Sequence, residues 1–492
     1  MRLNLQSLPA LPANVQRPTY DPSTVGIGIV HLGIGAFHRA HQAMYTDAAM
    51  AQAGGDWGIC GVSVKSPTVR DQLVPQDGLY TVRSVSQAGD AWCVIGSVRE
   101  VLFAPEQMPE AIARIARAET KIVSLTVTEK GYCANVSTRE PLWDHPDIAK
   151  DLLHADQPVS VLGALAAGLH ERFRKRGAPL TILCCDNLPE NGVVLEALVH
   201  QFIARLHPHM MPWLRANVRF PSSMVDRIVP ATRPADLADA ATALCVEDFG
   251  VVRAEPFSQW VIEDCFAAAR PAWDAVGVQF VGDVKPFEKM KLRLLNGSHS
   301  VMAYLGYLAG YDTIAQTIND PAFEQLVRAL MREAEVTLEP IDGVDFCAYS
   351  QQLISRFGNP ANGHRCVQVA MDGSQKIPQR WIAVAAEGLA NGKEINAITL
   401  ATAGWIRYVY GTNEHDEKIA IQDPLSSEFS NIAEKHSYDA LSFADAVLRI
   451  DSVFGTLGRN PAFAAPVKRW VSQLFREGAQ ATVASFAQAP NW

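Results

Sequence analysis

The segment GIGIVHLGIGAFHRAH (26–41) decides the fold of the first half of this chain. Its apolar, β-branched run predicts a buried strand, and glycines end that run just before a helical pattern at 37–55. Glycines in such a turn let the backbone approach a pyrophosphate, and the following helix offers unpaired N–H groups. A lone G-x-G is also common in tight turns, so a dinucleotide site and a purely structural turn both stay open here.

Further apolar runs alternate with helical patterns along the first half of the chain. Strands are predicted at 57–64, 121–129 and 178–187. Strands separated by helices indicate βαβ units and a mostly parallel sheet, with ligands bound at the carboxyl ends of the strands.

From about Asp283 onwards the apolar spacing becomes helical and strand patterns stop. Helices are predicted after Pro286, after Asp320-Pro321, and at 345–357, 395–410 and 460–476. We therefore predict an α/β fold with two domains. Residues 1–282 form a Rossmann-type N-terminal domain with a mostly parallel sheet, and residues 283–492 form an all-α C-terminal domain.

Composition limits the class of protein. The 492 residues are 48% hydrophobic with a net charge of -9, which predicts a large globular core and disfavours nucleic-acid or membrane binding. The nine cysteines are scattered without a C-x-x-C pair, which predicts reduced thiols and no metal site. We see no signal peptide and no apolar stretch of about 18 residues, so we expect a soluble, cytoplasmic protein.

The cofactor cannot be assigned from the second strand. The glycine turn lacks the third glycine of the dinucleotide fingerprint, because Arg39 and its neighbours follow instead. The second strand ends in Val64-Lys65, where a carboxylate usually binds the ribose hydroxyls. The choice between NAD and NADP therefore stays open on the residues alone.

The segment KMKLRLLNGSH (289–299) carries the strongest chemical signal. At about 100° per residue, Asn296 lies about 140° and His299 about 80° from Lys291, so all three can share one side of a helix. A lysine of lowered pKa serves as a general base, and an asparagine stabilises a developing oxyanion. Gly297 suggests that something bulky comes close to this helix. The plainer interpretation, a solvated lysine beside polar core residues, stays open.

Seven segments together resemble the mannitol dehydrogenase family of polyol-specific long-chain dehydrogenases. That family has a Rossmann-type domain, a helical C-terminal domain, and a site between them. The resemblance covers most of the chain and rests on HLGIGAFHRAH (31–41), SLTVTEKGYC (124–133), CDNLPENG (185–192), MVDRIVP (224–230), EPFSQWVIED (255–264), MKLRLLNGSH (290–299) and DGSQKIPQR (372–380).

The resemblance implies a role for each matching residue. Lys291 is the general acid/base, Asn187 and Asn296 bind the reacting oxygen, and His299 orients the substrate. Glu129 belongs to a proton path from the lysine to solvent, although a structural ion pair is its plainer role. The remaining matches are Asp226 beside the nicotinamide, Lys376 on the polyol chain, and Gly33, Gly35, Phe37 and Arg39 at the cofactor, where Arg39 contacts phosphate or braces the turn.

Three positions, Gln368, His364 and Arg365, favour one branch of the family. Mannitol 2-dehydrogenases carry an arginine where this chain has Gln368, and they have an acidic residue and its neighbour at His364-Arg365. The resemblance is strongest to the fructuronate reductase branch, which interconverts D-fructuronate and D-mannonate with NAD. A sugar acid needs a cationic clamp, for which Arg365, Lys130 and His364 are the candidates.

Other functions are less favoured. The alternatives are a polyol 2-dehydrogenase that acts on D-mannitol, D-fructose or D-arabinitol, and a non-catalytic sugar or redox sensor. We expect a small sugar acid or polyol as the partner, and a monomer or weak homo-oligomer.

Overall fold

The run after Val25 forms a buried strand, as its β-branched composition predicts. The computed structural model describes residues 1–86, 89–436 and 439–489. These divide into two compact units, Met1–Lys285 and Pro286–Trp492. The predicted domains also include 87–88, 437–438 and 490–492, which lie outside the described residues.

Unit 1 (Met1–Lys285) contains both strands and helices. Its strands are β1 (Val15–Gln16), β2 (Ile27–Leu32), β3 (Gly58–Ser63), β4 (Tyr80–Ser86), β5 (Gly89–Ile95), β6 (Val98–Phe103), β7 (Ile122–Leu125), β8 (Ala134–Asn135), β9 (Glu140–Pro141), β10 (Leu180–Cys184), β11 (Val218–Arg219), β12 (Ser223–Asp226), β13 (Val252–Ala254), β14 (Gln259–Glu263) and β15 (Gln279–Val281). Its helices are α1 (Ala36–Ala40), α2 (Gln42–Ala53), α3 (Thr68–Leu73), α4 (Ala104–Ile115), α5 (Pro146–Leu153), α6 (Val161–Arg174), α7 (Asn191–Leu206), α8 (Met211–Asn217) and α9 (Pro234–Leu244).

The central sheet of unit 1 is parallel throughout, in the order β11-β10-β7-β2-β3-β6. This is the Rossmann order, which reverses between β2 and β7. Alternate residues of β2 pack into two different cores, Val30 and Leu32 on one face and Ile29 on the other. Because both faces are covered, the strands are apolar runs without alternation.

Two predicted elements differ in extent from the structure. The helix predicted at 37–55 is interrupted at His41, which has a φ of -131° and a ψ of -89°. The strand predicted at 121–129 ends at Leu125, because Thr128 has a φ of +67° and leaves the strand conformation. The residues after Leu125 therefore form a loop at the carboxyl edge of the sheet.

Unit 2 is helical, and the described residues of 286–436 and 439–489 contain only isolated bridges in place of strands. Two π-helical segments, Lys291–Asn296 and Pro378–Ile382, interrupt the α-helices. The helices are α10 (Lys285–Met290), α11 (Gly297–Leu308), α12 (Ile314–Ile318), α13 (Pro321–Glu335), α14 (Phe346–Phe357), α15 (Cys366–Val369), α16 (Gly373–Ile377), α17 (Ala383–Ala390), α18 (Asn396–Val409), α19 (Ser426–Lys435), α20 (Ala440–Leu448), α21 (Asp451–Phe454) and α22 (Pro461–Ala487).

The centre of unit 2 is α18, which packs against both α11 and α22. Residues 397–409 of α18 are buried on every side, as expected of a helix that is apolar all round. All nine cysteines lie among the described residues and are unpaired. Within those residues, no helix combines the length and hydropathy needed to span a membrane.

Candidate active site

The two glycines of the turn after β2 have different physical roles. Gly33 has a φ of +96°, a left-handed conformation that favours glycine, and a Cβ there would overlap the carbonyl oxygen of Thr126. Gly35 has a φ of -84°, is exposed, and has only the Gly33 carbonyl oxygen, at 3.8 Å, near the position of a Cβ. The fold therefore requires glycine at 33, whereas Gly35 leaves the backbone open to a ligand.

His31, which the sequence did not single out, holds this turn through hydrogen bonds of its ring. Its ring nitrogens lie 2.8 Å from Ser124 Oγ and 2.8 Å from Thr126 Oγ1, and Thr126 Oγ1 donates to the carbonyl oxygen of Gly33 at 2.9 Å. Burial lowers the pKa of His31 to about 3, so the ring is neutral. The Thr126 hydroxyl donates its proton to the Gly33 carbonyl oxygen, so it can only accept a hydrogen bond from His31. Nε2 of His31 is therefore the donor to Thr126 Oγ1, and Nδ1 is the acceptor from Ser124 Oγ. The imidazole thus joins β2 to β7 where the strand order reverses.

Phe37 and Arg39, two further residues predicted at the cofactor, lie on α1. Phe37 is half-buried and stacks on the ring of His41 at 5.1 Å. Arg39 is 6% exposed, and it donates from Nη1 to the carbonyl oxygen of Gly250 at 2.6 Å and from Nε to that of Gly35 at 3.4 Å. These bonds correspond to the bracing role considered for Arg39.

Asp186, at the end of β10, holds the loop that follows β7. Its carboxylate accepts hydrogen bonds from the backbone N–H groups of Val127 at 3.1 Å and Thr128 at 2.8 Å, and from the Tyr132 hydroxyl at 2.6 Å. Burial raises the pKa of Asp186, and these three donors oppose the rise. The sequence did not point to this residue. Its hydrogen-bond partners lie 54 to 59 positions away along the chain, and no local pattern predicts those contacts.

The loop held by Asp186 presents two of the predicted residues to the outside. Glu129 and Lys130 are both exposed on a short 3-10 turn, Glu129–Tyr132. Asn187, the next residue after Asp186, is exposed as well. Because β7 and β10 are in register at Leu125 and Cys184, the loop and Asn187 lie at the same edge of the sheet.

Asp226 is the last residue of β12, in a separate three-stranded mixed sheet, and is 5% exposed. The adjacent Arg227 donates to the carbonyl oxygens of Ala40 at 2.5 Å and Glu255 at 3.0 Å. This arginine fixes the end of β12 against the end of α1. The position of Asp226 is therefore tied to α1, the helix that follows the turn of Gly33 and Gly35.

A cavity of about 590 Å³ opens at the carboxyl ends of β2 and β3. Leu32, Val62 and Val64 line it from the strand ends, Met108 lines it from α4, and the Glu106 side chain stands at its wall. In a Rossmann sheet the crevice at these strand ends accommodates a dinucleotide. Sequence reasoning missed the cavity, because its walls come from widely separated segments.

In unit 2, Lys291 and Asn296 delimit the first π-helical segment. Hydrogen bonds in a π turn span five residues, so side chains five apart lie about one turn apart on the same side. The angle of about 140° expected for these two residues in an α-helix is therefore wrong. Both side chains are 8% exposed, which also excludes the solvated lysine of the plainer interpretation.

The side-chain amide of Asn296 is the most informative group of unit 2. It is buried, and among the described residues its Nδ2 has no hydrogen-bond partner. A buried donor without a partner costs about 1–3 kcal/mol. An oxygen atom of a bound ligand would remove that cost, so the amide is suited to receive one.

Arg380 and Trp381, in the second π segment, bind the first π segment. Arg380 Nη1 donates to the carbonyl oxygen of Asn296 at 3.1 Å and to Ser300 Oγ at 2.7 Å. Trp381 Nε1 donates to the carbonyl oxygen of Gly297 at 3.2 Å. Burial lowers the pKa of Arg380 to about 10, so its guanidinium stays charged at neutral pH. These donors satisfy carbonyl groups at the junction of the π segment and α11.

A bulky side chain, that of Trp381, does come close to this helix at Gly297, but it does not require a glycine there. Its φ is -60°, an ordinary helical value, and a Cβ would lie 3.5 Å from Trp381 Nε1 and 3.7 Å from Leu330 Cδ2. These are normal van der Waals distances, so no neighbour requires glycine here.

His299 is 9% exposed, and its ring centroid lies 4.6 Å from Phe357 and 5.8 Å from the half-buried His364. Burial lowers the pKa of His299 well below its ordinary value, and the nearby charge of Arg356 lowers it further. The ring is therefore neutral at neutral pH and offers one donor and one acceptor nitrogen.

The other predicted substrate residues of unit 2 are more exposed. Arg365 precedes α15 as its N-cap and Gln368 lies within that helix, and both side chains are exposed. Lys376 is half-buried, and its Nζ donates to the carbonyl oxygen of Met371 at 2.5 Å. Burial lowers the pKa of Lys376, and the positive charge of Arg380 lowers it further.

Some of the predicted residues form one group in each unit, whereas Asp226 lies in another sheet and Phe37 and Arg39 lie on α1. In unit 1, Gly33, Gly35, Glu129 and Asn187 share the carboxyl edge of the parallel sheet. In unit 2, Lys291 and Asn296 share a π turn, and His299 follows on α11 near His364. The structure adds His31, Asp186 and Arg380, which hold these groups in place.

Comparisons with known proteins agree with this architecture. Residues 27–275 match the family model of the mannitol dehydrogenase Rossmann domain. Residues 283–475 match the model of the mannitol dehydrogenase C-terminal domain.

Individual relatives match over nearly the whole chain. D-mannonate oxidoreductase of Escherichia coli (strain K12) is 43% identical, covering 96% of this chain and 98% of its own. Mannitol 2-dehydrogenase of Phaeosphaeria nodorum is 40% identical over 99% of this chain and 86% of its own. The structure of Pseudomonas fluorescens mannitol 2-dehydrogenase, a ternary complex with NAD and D-mannitol, is 37% identical with a TM-score of 0.86, covering 100% of both chains.

The fold, the site residues and these relatives define a Rossmann-type oxidoreductase that acts on CH–OH groups. Within that class, the chain belongs to the mannitol dehydrogenase family.

Proposed function

We propose that this protein is an NAD-dependent fructuronate reductase, which interconverts D-mannonate plus NAD⁺ with D-fructuronate, NADH and a proton. The observation that carries the proposal is the buried, unpartnered Nδ2 of Asn296 on the same π turn as Lys291. A carbonyl or alkoxide oxygen at this place satisfies the amide and lies beside a proton donor. The relative of 43% identity, a D-mannonate oxidoreductase, supports a sugar acid as substrate.

The residues of unit 1 are suited to NAD. The exposed backbone at Gly35 permits close approach of a pyrophosphate, and the apolar cavity at the ends of β2 and β3 has the lining that an adenosine group needs. The solved relative with NAD supports the same cofactor. The cofactor chemistry that bound NAD would supply is that of a hydride acceptor for oxidation. Glu106 and Asp156 are the acidic residues that line the cavity, and the Glu106 carboxylate is paired with Arg70.

The chain's own side chains supply the remaining chemistry. During oxidation, Lys291 accepts the hydroxyl proton, and Asn187 and Asn296 donate hydrogen bonds to the oxygen as its carbon becomes a carbonyl. Reduction runs in the reverse sense, with Lys291 returning the proton. Neutral His299 orients the sugar. The supporting residues are Glu129 on the proton path to solvent, Asp226 beside the nicotinamide, and Lys376 on the sugar chain.

A carboxylate-binding group distinguishes a sugar acid from a neutral polyol. The Arg365 side chain is exposed, and a planar guanidinium binds a carboxylate in a bidentate manner. Lys130 and His364 are the other candidates. Gln368 replaces the arginine of mannitol 2-dehydrogenases.

The second candidate function is a polyol 2-dehydrogenase that acts on D-mannitol, D-fructose or D-arabinitol. It is favoured by the 40% identity to a mannitol 2-dehydrogenase and by the solved relative with D-mannitol. Lys291, Asn187, Asn296 and His299 would have the same roles for either substrate.

The first experiment compares NADH oxidation by the purified protein with D-fructuronate and D-fructose at matched concentrations. We expect kcat/KM to be much larger for D-fructuronate. Arg365→Gln should lower kcat/KM for fructuronate by about 10–100-fold, the value of a charged hydrogen bond, and leave the fructose rate unchanged. Arg332→Gln, an exposed arginine on α13, is the matched control. A preference for fructose would overturn the sugar-acid assignment and support the polyol dehydrogenase.

Residence in the cytoplasm is also part of the proposal, because nine unpaired cysteines suit a reducing compartment. The monomer or weak homo-oligomer expected from the sequence stays a prediction, which light scattering of the purified protein tests.

A further inference from the structure

A thiol, an imidazole and a carboxylate meet beside the loop Glu129–Tyr132 in unit 1. Cys133, His145 and Asp147 each offer one ligand atom, and the three atoms all lie within 4.8 Å of one another. The pattern C-x11-H-x-D (133–147) contains no metal motif, so the sequence gives no sign of this cluster.

Backbone hydrogen bonds bring the three residues together. The hairpin of β8 and β9 returns the chain, and the N–H of Leu142 donates to the carbonyl oxygen of Cys133 at 2.9 Å. His145 is the N-cap of α5, and its Nδ1 accepts from the N–H of Asp147 at 3.2 Å. The positions of the three residues are therefore set by a hairpin and by the start of a helix.

The electrostatics around Cys133 attract a cation. The carboxylates of Asp147 and Asp151 lie close enough to the Cys133 sulfur to act on it, and so does the ammonium of Lys65. Asp151 is buried and accepts from the N–H groups of Val159 at 2.6 Å and Ser160 at 2.9 Å, so it contributes charge rather than a ligand. Two carboxylates against one ammonium leave a local excess of negative charge.

We propose that Cys133, His145 and Asp147 bind a divalent cation of the zinc class. Sulfur, nitrogen and oxygen donors are the ligands of Zn²⁺, at about 2.3 Å for sulfur and about 2.0–2.2 Å for the others. The three ligand atoms already lie within 4.8 Å of one another, and the Asp147 side chain is exposed and able to rotate. Water takes the fourth, outward position of the tetrahedron. The Cys133 thiol loses its proton to solvent on binding.

Metal binding restrains the neighbouring loop. Cys133 directly follows Glu129–Tyr132, whose other end is held by Asp186 through Thr128. An ion that links Cys133 to α5 adds a further restraint at the second end of this loop, which the Tyr132 hydroxyl already ties to Asp186. The proposal concerns a site apart from the lysine of unit 2 and does not depend on the proposed function.

The experiment is a titration of the full-length, metal-free protein with Co²⁺, followed by competition with Zn²⁺. We expect one equivalent of Co²⁺ to give the thiolate charge-transfer band and the intense visible bands of a tetrahedral site, and Zn²⁺ to remove them. Cys133→Ser should abolish the charge-transfer band. His145→Asn keeps a good N-cap residue for α5 but shortens the ligand, and Asp147→Asn removes a charge. Each removes a direct ligand and should therefore weaken binding by at least about 10–100-fold, which is the cost of losing an outer-shell partner.

The matched control is Cys245→Ser. Cys245 has a more exposed thiol and a φ of +59°, close to the +49° of Cys133, but it lies outside the cluster. Its replacement should leave the Co²⁺ spectrum unchanged. A wild-type protein without the charge-transfer band, or a band that survives in Cys133→Ser and disappears in Cys245→Ser, would overturn the proposal.

Hydrogen exchange supplies a second readout. With one equivalent of Zn²⁺, amides of 129–133 should exchange more slowly in the wild type and at an unchanged rate in Cys133→Ser. Equal exchange in the wild type with and without Zn²⁺ would contradict the restraint of the loop.

Discussion

Gly33 and Gly35 are two residues apart, and the same substitution tests a different property at each. Gly33→Ala places a Cβ against the Thr126 carbonyl oxygen at a φ of +96°. We expect it to lower the free energy of unfolding by about 1–3 kcal/mol from backbone strain alone. Gly35→Ala meets open space, so the free energy of unfolding should change by less than about 0.5 kcal/mol.

NADH titration followed by protein fluorescence separates the two variants, and urea denaturation measures their stability. Gly35→Ala should weaken NADH binding by about tenfold or more, because the methyl group stands where the pyrophosphate approaches. Unchanged affinity in a folded Gly35→Ala protein would contradict the cofactor role of the turn.

At the scale of the element, the π segment depends on a side chain from another part of unit 2. Arg380→Met removes the hydrogen bonds to the Asn296 carbonyl oxygen and Ser300 Oγ while keeping an apolar stem. We expect kcat to fall by about 10²-fold, since displacement of a positioned group by about 1 Å has that effect. Steady-state kinetics should show KM for NADH unchanged, because the cofactor residues lie in unit 1.

Rescue distinguishes positioning from folding. Arg380→Lys restores a donor of the same charge on a shorter side chain and should recover part of kcat. A kcat equal to that of the wild type in Arg380→Met would show that the π segment holds Asn296 without this arginine.

Glu333 on α13 connects two helices and makes stability depend on pH. Its carboxylate accepts from the N–H groups of Ala397 at 2.7 Å and Ile398 at 2.9 Å, at the start of α18. Burial raises the pKa of Glu333 from 4.5 to about 7. A raised folded-state pKa gives stability that is fully present below pH 4.5 and is lost as pH rises through about 7.

Glu333→Gln should therefore remove this pH dependence. Between about pH 4.5 and 7.5, the free energy of unfolding should fall by about 3 kcal/mol more in the wild type than in the variant. A difference of about 2.5 between the folded and unfolded pKa of Glu333 implies this value. Urea denaturation of both proteins at several pH values measures the difference, in which the other titrating groups cancel. Parallel pH profiles would contradict the assigned pKa.

At the scale of the whole molecule, the two units divide the work of the proposed reaction. Lys291→Ala should lower kcat by about 10²–10⁴-fold, the contribution of a general acid/base, and leave the dissociation constant of NADH unchanged. The matched control is Lys289→Ala. Lys289 lies in α10, is half-buried, and forms an ion pair of 3.4 Å with Glu387. Intact turnover in Lys291→Ala would overturn the mechanism.

The local sequence was sufficient to predict the strands marked by apolar runs and the helices marked by periodicity and capping residues. The strands at β2, β3 and β10 and the helices at α13, α14 and α18 are confirmed close to their predicted bounds. Asp320 caps α13 through the N–H groups of Ala322 and Phe323, which a short-range pattern of Asp-Pro predicts. The parallel sheet, which the alternation of strands and helices predicts, is confirmed by the parallel pairing of its six strands.

Long-range contacts were beyond the reach of those patterns. Neither π segment was predicted, because a π turn differs from an α turn by one residue and depends on donors such as Arg380 far along the chain. The anchoring carboxylate of Asp186 and the bridging ring of His31 were missed for the same reason.

The sequence by itself determined the α/β class, the change to helices near residue 283, and the residue types that make hydride transfer possible. These properties depend on periodicity and chemistry within a few residues, which the chain carries locally. The tertiary structure decided that Gly33 is required and Gly297 is not, and that the amide of Asn296 is buried without a partner. Those properties depend on atoms from distant segments, whose positions only the packed fold defines.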